Sequence, residues 1–140
     1  MPVLNRLAKI VAKPIPRLVT PRVHAMADYV SVGAFFGTVA WFWRRNRRAA
    51  MASLICGGTE LAIVLLTDYP GGTKKFLSFG THRELDYGLA AMVATMPESL
   101  AFNGEEETKF FRMQGALITL LGEVTQPSPI STRRSRSRAA

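Results

Sequence analysis

The chain has two histidines and sets both in one six-residue frame. Residues 24–29 read HAMADY and residues 82–87 read HRELDY, so His-x-x-x-Asp-Tyr recurs after 58 residues. Each frame opens a long apolar stretch, followed by a charged connection and a second apolar stretch. The first half closes on LLTDYPGG (65–72) and the second on LLGEVTQPS (120–128). In both, two leucines and a small residue precede an acid, Asp68 or Glu123, which suggests that these ends correspond. A duplicated helical hairpin gives four helices, and an even number of spans leaves the repeats in parallel orientation. The expected fold is therefore all-α, a four-helix transmembrane bundle built from two repeated hairpins.

The apolar segments run over about 24–43, 49–67, 84–102 and 110–124. The first, twenty residues at about 1.5 Å each, reaches roughly 30 Å, enough to cross a bilayer core. Thr20 suits its N-cap and Pro21 its first helical position. AWFW followed by RRNRR (44–48) sets tryptophans and arginines where an interface should lie. In the third segment, Thr81 with Glu84 three residues on reads as a capping box, and Pro97 and Glu98 interrupt the apolar run. The fourth is short. Gly33 and Gly37 form a Gly-x-x-x-Gly frame, which predicts close approach of another helix inside the monomer.

No basic residue lies inside the first three blocks, and only Lys109 and Arg112 lie near the fourth. Of 18 Lys/Arg, twelve lie in residues 1–22, the middle connection and the C-terminal tail, which share one side of a four-span bundle. That distribution puts both termini in the cytoplasm. Residues 1–19 form an arm in which Val3, Leu4, Leu7, Ile10 and Val11 alternate with Arg6, Lys9 and Lys13. This is a basic amphipathic helix suited to an anionic surface. Residues 127–140 form a Ser/Arg-rich tail that reads as disordered. Between them, residues 20–126 make the membrane domain, with repeat one at about 20–72 and repeat two at about 78–126. The expected partners are the lipid bilayer, anionic lipid at the arm and tail, and a second copy of the chain. The tail has no aromatic on which a base stacks, so nucleic acid is not expected.

The polar residues inside the blocks are the site candidates. On a helix His24 and Asp28 share a face, as do His82 and Asp86. Read structurally, each pair is a local contact at interface depth, worth about 0.3–1 kcal/mol, and loss of both histidines is then additive. Read functionally, the four residues form one cluster for a divalent metal, or the two imidazoles ligate a haem. Glu60 lies mid-helix, where a charge is expensive. It is either a proton or ion site or a partner of Thr59, Ser31 or Thr38. Cys56 reads as a small buried hydrophobe. No nucleophile–base–acid constellation and no phosphate loop is present, so neither catalysis nor a resident cofactor is expected.

The opening frames at His24, Asp28, His82 and Asp86, with LLTDYPGG as the link, resemble the SPW-repeat family of bacterial integral membrane proteins over residues 20–126. That family's Ser-Pro-Trp motif is reduced here to Pro97, between Met96 and Glu98, and to TVAW (38–41) in the first copy. The resemblance implies two helical hairpins in the bacterial inner membrane, with a structural or interaction role and no assigned activity. The competing class is a soluble basic helical bundle that binds nucleic acid.

Overall fold

Thr20 accepts a hydrogen bond from the Val23 amide and Pro21 follows it, so helix α1 (Pro21–Phe42) begins where the sequence predicts. A computed structural model describes residues 16–127; the predicted N-terminal amphipathic helix and the tail beyond 127 lie outside them. Helix α2 covers Arg47–Leu66, α3 Phe79–Ser99 and α4 Thr108–Val124, and the described residues contain no strand. Helices α1 and α2 pack as one hairpin and α3 and α4 as the other, with α2 lying against α3.

Helix α3 starts earlier than expected. Its N-cap is Ser78, whose hydroxyl accepts from the Thr81 amide. Thr81 therefore sits inside the first turn and does not cap the helix. Ser78 stands 58 residues after Thr20, so the two repeats are capped alike. Pro97 does not interrupt α3 either. It lies in the final turn, and the helix continues to Ser99.

The close approaches come from glycines other than Gly33 and Gly37, because a Cβ at either of those would meet nothing within 4 Å. The expected close approach of helices is present, but at GAFFG it uses the Phe35 face and not the two glycines. It occurs at Gly57, where a Cβ would stand 2.8 Å from that of Phe35, and at Gly115, 3.0 Å from the Ala90 carbonyl oxygen. These two glycines are again 58 apart, and each closes its own hairpin. Between the ends of the bundle, Phe35, Phe42, Val93, Phe102, Phe111 and Cys56 fill the core.

At one end, RRNRR meets the acids of the α3–α4 loop. Asn46 caps α2 by accepting from the Ala49 amide, and its own amide nitrogen donates to Glu105 at 2.6 Å and Glu107 at 3.3 Å. Arg45 pairs with Glu106 at 2.9 Å and Arg48 with Glu105 at 3.0 Å. These exposed pairs contribute little. Asn46 is buried and holds both loops. Asn46→Ala should lower stability by about 0.5–2 kcal/mol, the range for losing a helix cap. An unchanged melting curve in detergent would contradict that role.

At the other end the repeats exchange contacts. Val19 donates to the Val124 carbonyl at 3.0 Å and accepts from the Gln126 amide at 2.8 Å. Leu77 donates to the Leu66 carbonyl at 2.8 Å and accepts from the Asp68 amide at 2.8 Å. Every partner in the second set lies 58 positions from its counterpart in the first. Each hairpin therefore begins against the end of the other. The true equivalents at the hairpin ends are Thr67 and Thr125, not the leucine pairs that catch the eye in the sequence.

Candidate functional site: a buried His–Asp centre between the repeats

The exchanged ends carry the first turns of α1 and α3 into one place. His24 and His82 are fully buried, and Asp28 and Asp86 are each 5% exposed. The local contacts expected from i,i+4 spacing are present, His24 Nε2 to Asp28 Oδ1 at 3.5 Å and His82 Nε2 to Asp86 Oδ2 at 3.2 Å. Two further contacts cross the bundle: His24 Nε2 to Asp86 Oδ2 at 3.2 Å and His82 Nε2 to Asp28 Oδ2 at 3.3 Å. The expectation of separate, partly exposed pairs is therefore corrected. The four side chains form one buried centre, because the exchange of hairpin ends brings the two helix starts together.

Both rings are held from behind in the same way. His24 Nδ1 lies 2.8 Å from Thr125 Oγ1, and His82 Nδ1 lies 2.8 Å from Thr67 Oγ1. Each threonine hydroxyl donates to the carbonyl one turn back, Thr67 to Ile63 and Thr125 to Leu121. With its one proton so used, each hydroxyl accepts from the imidazole. Both Nδ1 atoms therefore carry hydrogen, and both Nε2 atoms face the carboxylates. Tyr69 donates to Asp28 Oδ2 at 2.9 Å. Burial, and next the Asp28 carboxylate, hold the Tyr69 phenol well above its ordinary range, so it stays a donor. Taken singly, Thr67, Thr125 and Tyr69 carry no signal in the sequence. The constant 58-residue offset is what singles out the two threonines.

The imidazoles stand edge to face with centroids 5.4 Å apart. A porphyrin between them would have to displace Asp28 and Asp86, so the haem reading does not fit this centre.

Glu60 is buried and takes one of its expected partners. Ser31 donates to Glu60 Oε2 at 2.9 Å, and Gln114 donates to Ser31 Oγ at 3.0 Å. Thr59 and Thr38 turn elsewhere, Thr59 to Ile55 and Thr38 to Phe35 and Ser53. This chain of polar groups lies in a cleft of about 500 Å³ between α1 and α4, whose walls also include Asp28, Val30, Leu117 and Leu121. The positions 58 away from Ser31, Glu60 and Gln114 hold Leu89, Ile118 and Cys56. The polar cleft thus belongs to one seam only.

No family model matches the chain, and no curated protein or solved structure matches it.

Proposed function

We propose that the chain is a four-span integral membrane protein of the bacterial inner membrane, of the SPW-repeat type, with a structural or interaction role. The observation that carries this reading is a set of buried polar side chains beside a broad exposed apolar surface. His24, His82, Ser53, Thr67 and Thr125 are fully buried, while Met26, Val30, Trp41, Met113, Leu117 and Leu120 are each at least half exposed. Water would favour the opposite arrangement, and large exposed apolar surface marks contact with a membrane or a partner.

Helices α1 and α2 are each long and apolar enough to cross a membrane. Helices α3 and α4 are less apolar but pack alongside them, and α4, with 17 residues at about 1.5 Å each, reaches only some 25 Å. A short span of this kind is accommodated by local thinning of the bilayer. The pairing of Val19 with Thr125 keeps the two ends of the bundle's chain on one side. Twelve of the 18 Lys/Arg belong to the segments that the sequence assigns to that side, which supports a cytoplasmic placement.

Carbonate washing of membranes from expressing cells should leave the protein in the pellet. Recovery in the wash or the soluble fraction would overturn the reading. In that case the competing soluble bundle should retard DNA or RNA without detergent.

A further inference from the structure

We propose that His24, His82 and Asp86, with the Asp28 carboxylate alongside, bind a divalent first-row transition cation of the Zn²⁺ class. The inference rests on the buried centre and not on the membrane reading. It begins from an orphaned atom. His82 Nε2 is buried, carboxylate oxygens stand 3.2 and 3.3 Å away, and it forms a hydrogen bond with neither. The oxygens are near enough, but they lie off the direction in which the ring nitrogen points.

Distances separate the two ways of balancing charge here. Two imidazolium rings facing two carboxylates would give charge-assisted hydrogen bonds of about 2.7–2.9 Å. Of the four contacts only His24 Nε2 to Asp86 Oδ2 has hydrogen-bond geometry, and at 3.2 Å it is longer than that; the others are 3.2, 3.3 and 3.5 Å. Ligands bound at about 2.0–2.1 Å around a tetrahedral ion stand about 3.3 Å apart. One ligand atom from each of His24, His82 and Asp86 lies within 4.8 Å of the other two. Asp28 offers Oδ1 to one imidazole and Oδ2 to the other, so its carboxylate lies beside this three-ligand set and adds the second negative charge. Two neutral imidazoles, two carboxylates and one divalent ion leave the centre with no net charge.

The surroundings fit a ligand set. Metal-bound imidazoles usually donate their second nitrogen to a fixed acceptor, and Thr67 and Thr125 supply that acceptor for both rings. Imidazole with carboxylate suits zinc and its neighbours in the first row. Calcium wants six to eight oxygens at about 2.3–2.6 Å, which two nitrogens and this spacing do not provide. Asp28 also walls the cleft between α1 and α4, which supplies an entry path.

The test uses the full chain in detergent, free of any tag and stripped with chelator, titrated with Zn²⁺ and followed by calorimetry and metal analysis. One Zn²⁺ per chain should bind, should raise the melting temperature, and should not be displaced by Ca²⁺ or Mg²⁺. The chain has no other histidine, so His24→Ala or His82→Ala should abolish this binding. Thr125→Val, which keeps the side chain's shape, should remain folded and bind about 10–100-fold more weakly. Absence of stoichiometric binding to folded wild-type protein would overturn the proposal. So would binding unchanged in Thr125→Val or in folded histidine variants, since the ion would then sit elsewhere, for instance at Glu105–Glu107.

Discussion

In chelator, His24→Gln and His82→Gln should each lower the melting temperature by roughly 10 °C, and the double variant should fall little further. The size follows from burial. Removing one member of a buried charged cluster leaves its partners desolvated and uncompensated, at about 3–5 kcal/mol. In a chain of this length about 3 kcal/mol corresponds to a shift of roughly 10 °C. The non-additivity follows from the shared partner. Asp86 Oδ2 lies 3.2 Å from both imidazoles, so loss of either ring already leaves that carboxylate poorly matched. Residues joined in one network show coupling of about 0.5–3 kcal/mol. Small, additive shifts would mean that the rings act as independent local pairs, contrary to the cross-bundle contacts.

Gly72→Ala should be as damaging. A Cβ at this position would lie 1.8 Å from the Thr67 carbonyl oxygen, an overlap with backbone that no rotamer relieves. The link from 67 to 72 must then open. That link carries Thr67, which accepts from His82 Nδ1, and Tyr69, which donates to Asp28. We expect a loss of about 3 kcal/mol, at the upper end of ordinary overpacking, because the neighbour is main chain. Gly88→Ala is the control, since a Cβ there meets nothing within 4 Å and the helix gains propensity. Equal melting temperatures for the two variants would show that the 67–72 link is not fixed as described.

The sequence alone determined the local geometry. Thr20 followed by Pro21 marks a helix start in any context, because capping needs only the first turn. The four apolar blocks give four helices, and the repeated His-x-x-x-Asp frame sets each acid one turn from its histidine. Its errors arose where a local rule had two applicants. Thr81 with Glu84 matches a capping box, but Ser78 caps the helix and carries it one turn earlier. Gly33 and Gly37 have the right spacing for close packing, yet Gly57 and Gly115 face the neighbouring helices. Spacing shows which residues share a face and not which face is covered.

Only the tertiary structure decided that the two frames make one centre. His24 meets Asp86, and Thr125 meets His24, across separations of 62 and 101 residues. Nothing in a hexamer encodes such pairings. They follow from the way each hairpin's end lies along the other's beginning, through the Val19–Thr125 and Thr67–Leu77 bridges. The recurrence at a 58-residue offset gave each half the same parts of this centre, a histidine, an aspartate and a threonine. Docking the halves head to end set those parts face to face, because contacts between elements are chosen by packing and not by sequence distance.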